Sequence, residues 1–242
     1  MNEEIITKAI VINSIKYQES DKILTLFSLD FGKISAKIRG VLKQTAKLKF
    51  AGQLFCFAEF CLIKNGDNFT VKTATEIESF FDISSDYYKL SIGTAILEIC
   101  DKTLNDFEPN TTLFLNVIKS LQTICLTKTN PKLVLTKFML EVFKLSGYEL
   151  NFEKCQSCGA MFNNKIFLNI ETGTLVCSMC KTEECMPVSI GAFNILKLLR
   201  QTDYQKLTSF SVHEHHLNEI LVLFNANFSG KFQIILKSLK NL

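Results

Sequence analysis

Four cysteines offer the clearest chemistry in this chain of 242 residues. Cys155-Gln-Ser-Cys158 and Cys177-Ser-Met-Cys180 are both C-x-x-C pairs, and eighteen residues separate the inner cysteines. Two such knuckles closed on one another present four thiolates at tetrahedral spacing, the donor set of a structural zinc. A four-thiolate shell leaves no position for activated water, so the expected chemistry is stabilisation rather than hydrolysis. The competing readings are four unligated buried cysteines, or one redox-active C-x-x-C. The redox motif needs one pair at a helix start after a strand, and here there are two pairs. Cys185 lies just beyond and is an alternative to Cys180. The two-by-two spacing favours Cys155, Cys158, Cys177 and Cys180 as ligands of one Zn2+ per chain.

These ligands need a scaffold. Ile166 to Ile170 reads as a strand, Glu171 to Thr174 as a turn, and Leu175-Val176 leads into the second knuckle. Gly159 relaxes the turn after the first pair. A hairpin spanning 153–183 is too small to bury a core unaided, so a bound metal would supply much of its folding energy. Helical patterns flank it. Asp86 to Leu104 is the first, and Thr112 is a candidate cap for the second. Asn130-Pro131 opens the third as a cap followed by proline at the first helical position, and Gly147 ends it. After the hairpin, Pro187-Val-Ser189 opens another helix, and Leu217 to Phe224 and Phe228 to Leu239 read as a final pair. His213, His215 and His216 are three further metal-capable side chains, but four thiolates already complete a tetrahedron.

A second set of residues could hold a polyanion. Lys33, Lys37, Arg39, Lys43, Lys47 and Lys49 fall within seventeen residues that contain no Asp or Glu. Lys33, Ser35, Lys37 and Arg39 alternate with Ile34, Ala36, Ile38 and Gly40, so the charges face out from a strand. A basic strand face leading into a basic loop suits a phosphate backbone, although it also describes an ordinary solvated face. Phe31, Phe50 and Phe69 can stack on bases or pack in a core. Around this strand, residues 4–80 read as all-β: Ile5 to Ile15, Ile23 to Leu29, Ile34 to Val41, Phe55 to Ile63 and Phe69 to Ile77, with turns at Asp30 to Lys33 and Asn65 to Asn68. Five short strands suit a small closed barrel. The oligonucleotide-binding (OB) barrel is the common solution at this size, and an SH3-like barrel is the alternative. The expected class is therefore α+β and multidomain. A barrel at 1–80 precedes a helical domain at 81–242, itself interrupted by the cysteine hairpin.

Composition sets limits on function. Hydrophobic residues make up 47% and charged residues 21%, which is globular rather than disordered. The net charge of +3 is too small to establish a polyanion partner, so the clustering of charge carries that argument. The opening Met-Asn-Glu-Glu lacks a basic flank and apolar run, and no uninterrupted apolar stretch suffices for a membrane span. Membrane partners are not expected. Nine cysteines, several in apolar surroundings, fit a reduced cytoplasmic protein better than a disulfide framework. No phosphate-binding glycine loop, H-E-x-x-H or G-x-S-x-G occurs, and Glu3-Glu4 and Glu183-Glu184 read as solvated charge. A binding or assembly role is favoured over an enzyme. The alternative function is a zinc-stabilised RNA-binding or ribosome-associated protein.

The run Tyr17-Gln-Glu-Ser-Asp-Lys-Ile-Leu-Thr-Leu-Phe27, followed by Gly32-Lys33 and Ala36-Lys-Ile-Arg-Gly40, resembles the opening of the RecO family of recombination mediators. The order of parts also resembles that family: a barrel, helices, and a four-cysteine hairpin within the helical region. Many members lack the cysteines, so these support membership without defining it. The resemblance implies non-enzymatic binding of single- and double-stranded DNA and annealing of complementary strands. It implies partnership with RecR, contact with the C-terminal tail of single-strand-binding protein, and an indirect effect on RecA loading at the nucleoid. Lys37 and Arg39 match the family's basic positions. Where the family continues with a serine and a further arginine, this chain has Val41-Leu-Lys-Gln-Thr-Ala-Lys-Leu-Lys49, which keeps the charge and loses bidentate phosphate geometry. Lys231, Lys237 and Lys240 are candidates for a second DNA- or tail-binding surface.

Overall fold

The computed structural model describes residues 3–232 and 236–238. Five strands come first: β1 Glu3–Tyr17, β2 Asp21–Ser28, β3 Gly32–Ile38, β4 Cys56–Asn65 and β5 Asn68–Ser79. They close into a barrel in the order β1-β2-β3-β5-β4, with β4 returning to β1. The parallel contact of β3 with β5, at Ala36 opposite Phe69, gives the strand order of an OB barrel and removes the SH3-like alternative. One long strand makes closure possible. β1 pairs with β4 through its first half and with β2 through its second. A bulge between Val11 and Asn13 bends it there, which is the usual device for turning a barrel corner.

Alternation decides what the barrel encloses. Ile34, Ala36 and Ile38 of β3 point inward with Leu24 and Leu26 of β2, while Ser35 and Arg39 are exposed. Phe60, Leu62, Phe69 and Val71 complete the same core. Gly32 allows the β2–β3 turn. Its φ is +66°, and a Cβ there would lie 2.3 Å from the Glu108 carbonyl oxygen.

Among the described residues five α-helices follow: α1 Tyr87–Thr103, α2 Thr111–Leu126, α3 Pro131–Leu145, α4 Ile190–Arg200 and α5 Glu214–Phe232. Asp86 caps α1 by accepting from the Tyr88 and Lys89 amides, and Asn130 caps α3 ahead of Pro131. Asn110, rather than Thr112, receives the Leu113 amide at the start of α2. Of the expected final pair, Leu217 to Phe224 and Phe228 both fall within the single helix Glu214–Phe232, and the expected continuation to Leu239 lies partly outside the described residues.

The chain forms two compact units. The first joins Met1–Leu90 with Leu97–Leu121, and the second joins Ser91–Ile96 with Gln122–Leu242. In the first, Phe114 of α2 meets Phe27 at 5.3 Å and Phe57 at 5.9 Å, both edge to face. Part of the α2 apolar stripe thus covers the outside of the barrel. In the second, Phe143 of α3 meets Phe224 edge to face and Phe228 at a tilt, both of α5 and each at 4.9 Å. A small antiparallel sheet in this unit runs β7 Thr174–Cys177, β6 Ile166–Asn169, β8 Cys185–Val188. β8 replaces the expected helix opening at Pro187. As an edge strand it can hold a proline, which lacks an amide, and Ser189 then caps α4 by accepting from Ala192.

Candidate metal centre and nucleic-acid interface

Cys155, Cys158, Cys177 and Cys180 converge with all four sulfurs within 4.8 Å of one another. The Cys158 and Cys177 sulfurs are 3.8 Å apart. A tetrahedron with metal–sulfur bonds of about 2.3 Å places its sulfurs about 3.8 Å apart. The cysteines are free thiols rather than a disulfide pair. Each knuckle is a hydrogen-bonded turn: the Gly159 amide donates to Cys155 O at 2.9 Å, and the Cys180 amide donates to Cys177 O at 3.1 Å. Gly159 has φ +74°, which suits glycine after the first pair.

The electrostatics also fit a cation. Burial opposes ionisation of Cys155, but the amides of Cys158, Cys177 and Ser157 converge on its sulfur and bring it down to about 6. Cys180 goes the other way. Ser157 favours its thiolate, but the crowded sulfurs of Cys158, Cys177 and Cys155, together with burial, push it up to about 12. Four sulfurs at this spacing cannot all ionise unless a cation stands among them. The donor set fits a thiophilic divalent ion.

Cys185 lies outside this group. It sits on β8, where its sulfur accepts from the Thr182 amide at 3.4 Å and meets the Thr182 hydroxyl at 3.5 Å. The histidines do not join the metal group among the described residues. His216 instead approaches Ser189 Oγ at 3.4 Å and Glu219 Oε2 at 3.7 Å. One contributor escaped the sequence reading. Buried Asn227 of α5 donates from Nδ2 to Ile170 O at 2.9 Å, tying the hairpin turn to a helix. An asparagine inside a long helix was the available signal.

The six basic residues expected to meet a polyanion divide by environment. Lys33 lies on the part of the outer face flanked by the α1–α2 connection. Its Nζ donates to Asp101 O at 2.9 Å and lies 3.4 Å from Asp106 Oδ1. Lys37 pairs with Asp21 Oδ2 at 3.0 Å and lies over the Tyr17 ring, 4.8 Å from its centroid. Arg39, Lys43, Lys47 and Lys49 are exposed, with no carboxylate partner among the described residues. The loop that carries them is a chain of turns, with the Lys43 amide on Gly40 O and the Ala46 amide on Lys43 O, both at 3.1 Å. Phe69 is buried in the barrel core, and Phe31 and Phe50 pack partly against it. The aromatics therefore serve packing, and the exposed feature is the charge.

The second unit also holds a small depression lined by the apolar Leu140, Phe143, Leu150 and Phe152 and by the charged Glu141, Lys144, Glu149 and Arg200. Arg200 is paired there with Glu149 at 3.1 Å. Of the C-terminal lysines, Lys237 is exposed, while Lys240 and the Lys231 side chain lie outside the described residues.

The family model for the N-terminal part of recombination protein O matches residues 1–80, and that for its C-terminal part matches residues 84–240. The chain belongs to the RecO family. The junction between the two RecO matches falls where β5 ends and a short 3-10 turn at Phe81–Ser85 begins. Among relatives named DNA repair protein RecO, that of Acetivibrio thermocellus is 30% identical over 217 residues, covering 88% of this chain and 86% of its own. That of Desulfitobacterium hafniense is 31% identical over 219 residues, covering 88% and 80%. The Clostridium novyi protein is 27% identical over 234 residues, covering 97% and 91%. No helix among the described residues is long and apolar enough to cross a membrane.

Proposed function

We propose that this RecO-family protein is a DNA-binding mediator of recombinational DNA repair that works by assembly and performs no bond chemistry. The observation that carries the reading is the exposed, uncompensated run of Arg39, Lys43, Lys47 and Lys49 leaving β3 of an OB barrel. Such a run attracts phosphates on single or double strands without reading sequence. Clustered positive charge also lowers the repulsion between two phosphate chains, which favours annealing of complementary strands. Lys33 and Lys37 contribute less, because their charges are already shared with carboxylates.

In this reading the barrel of 1–80 holds DNA and the helical region of 81–242 meets proteins, among them RecR. The depression beside Leu140 and Phe152 suits the tail of single-strand-binding protein, with apolar tail residues against the aromatics and acidic groups near Lys144 and Arg200. Relief of single-strand-binding protein from gapped DNA would then help RecA to load. The hairpin of 153–183 holds a structural Zn2+ on Cys155, Cys158, Cys177 and Cys180, which metal analysis of the purified protein would identify.

The test is a salt titration of binding to single-stranded DNA, duplex DNA and structured RNA. The variant replaces Arg39, Lys43, Lys47 and Lys49 with glutamine. Each lost phosphate contact should flatten the logarithmic salt slope by about 0.7 on single strands and about 0.9 on duplex. Annealing should fall with it. Unchanged slopes would sink the interface, and tighter binding to structured RNA than to either DNA would move the function to RNA.

A further inference from the structure

The sequence motif contains one acidic residue that the basic surface leaves unexplained. Asp21 opens β2 and is only 9% exposed. Its Oδ1 accepts from the Gly40 amide at 2.8 Å and lies 3.4 Å from Ser20 Oγ. Its Oδ2 meets Lys37 Nζ at 3.0 Å. The register explains the meeting. Tyr17 stands opposite Asp21 on β1, and Ile23, two residues along β2, stands opposite Lys37 on β3. Asp21, Tyr17 and Lys37 therefore share the outer face of the three strands. The Gly40 amide, with the Lys37 and Ser20 side chains, surrounds the carboxylate much as donors surround a phosphate. Gly40 has φ +64° and begins the basic loop, so Asp21 touches both the last lysine of β3 and the first turn beyond it.

We propose that Asp21 is a positioning residue of the nucleic-acid surface: its carboxylate occupies the place of a phosphate, withholding Lys37 from DNA and anchoring the basic loop through Gly40. The inference rests on the DNA-binding reading above. Under it, DNA is gripped first by Arg39, Lys43, Lys47 and Lys49. Lys37 joins only by exchanging its carboxylate for a backbone phosphate, so the exchange sets how tightly non-specific DNA is held. The depressed titration of Asp21, caused first by the Gly40 amide and then by Lys37, agrees with a carboxylate held ionised in this pocket.

Asp21→Asn separates the two roles. The amide oxygen can still accept from Gly40, while the negative charge on Lys37 is gone. Single-stranded DNA binding in the full-length protein should tighten, with the salt slope steeper by about 0.7, so that the gain shrinks about threefold between 50 and 200 mM salt. Lys37→Met in the Asp21→Asn background should erase that gain, and Asp21→Glu should reverse it. Protection of the Gly40 amide from exchange should persist in Asp21→Asn. In the otherwise wild-type protein, Lys37→Met should cost less affinity than Arg39→Met. Weaker binding by a folded Asp21→Asn, or an unchanged slope, overturns the inference. If Asp21→Asn does not fold, the single Met variants decide it, and equal losses overturn it. The glutamine variant at Arg39, Lys43, Lys47 and Lys49 separates the two failures. If it too leaves DNA binding intact, the interface itself is wrong; if only it weakens binding, the role of Asp21 alone is wrong.

Discussion

The barrel and the cysteine hairpin are both small β structures, yet they are held in opposite ways. In the barrel every strand lies between two others, and the interior is filled by side chains such as Leu24, Ile34, Phe60 and Leu62, which are at most 2% exposed. Its order comes from apolar burial at two-residue alternation, and it needs no added group. The hairpin has three strands of four residues each, and its buried cluster is Cys155, Val176, Cys177 and Cys185. Too little apolar area is enclosed there to offset the entropy of ordering the chain. Under the proposed reading, a metal held by the four sulfurs takes over that task. The exposed basic run of the proposed DNA surface sits on the barrel, and the four-cysteine hairpin stands apart from it in sequence.

Removing the metal is the largest test of this contrast. Chelation, or Cys177→Ala, should abolish metal retention and strip exchange protection from Leu168, Leu175 and Val176 of the hairpin. Structural zinc sites of this type bind with about 10–16 kcal/mol, so the hairpin should not survive the loss. Leu24, Leu26 and Phe60 in the barrel should keep their protection, and DNA affinity should hold. Barrel amides that opened together with the hairpin would show the two structures to be one cooperative unit.

The converse test is Phe60→Ala. Phe60 is fully buried on β4, and its truncation should destabilise the barrel by about 3–5 kcal/mol in denaturant titrations. Because β4 pairs with both β1 and β5, the loss should unfold the barrel as a whole. Metal content should not change. A variant that lost both barrel and metal would collapse the comparison from the other side.

Much of this contrast was legible in the residues. Alternation around Ile34, Ala36 and Ile38 marked β3, two C-x-x-C pairs marked the metal group, and Asn130-Pro131 marked the start of α3. These signals are local, so the chain reports them without its fold. What was not legible depends on neighbours distant in sequence. Lys33 reads as an outward charge, but Asp101 in the last turn of α1 and Asp106 just beyond it reach it. Asp21 reads as a turn residue, and only the β1–β2–β3 register brings it to Lys37 and Gly40. Pro187 reads as a helix opener, and pairing with β6 makes it part of an edge strand. Closure of five strands with β3 parallel to β5 is likewise a property of the sheet.

A smaller effect is expected at Gly32. Alanine there must adopt φ near +66° and place its Cβ against the backbone of Glu108, at 2.3 Å from the carbonyl oxygen. Backbone strain of this kind costs about 1–3 kcal/mol, and backbone on the other side of the contact yields less readily than a side chain. A loss of about 3 kcal/mol in the first unit is expected, read from thermal or denaturant unfolding. The metal hairpin should be indifferent to it. A change below about 0.5 kcal/mol would mean that the Glu108 segment moves aside at little cost.

The smallest effect sharpens the hairpin side of the contrast. Asn227 links α5 to the turn after β6 by donating to Ile170 O, so the four-cysteine group is not the hairpin's sole support. Asn227→Ala leaves that partly buried carbonyl without its partner, a cost toward the low end of the about 1–3 kcal/mol of a buried acceptor. Two features reduce it. The Asn227 Oδ1 is itself buried without a partner among the described residues, and alanine removes that penalty. Alanine is also the better helix former. The net loss should be about 1 kcal/mol, seen as faster exchange at Gly173 and Thr174 with metal content unchanged. If exchange there accelerated as much as after chelation, the helix rather than the four sulfurs would be the main support, and the two β structures would differ less than their cores suggest.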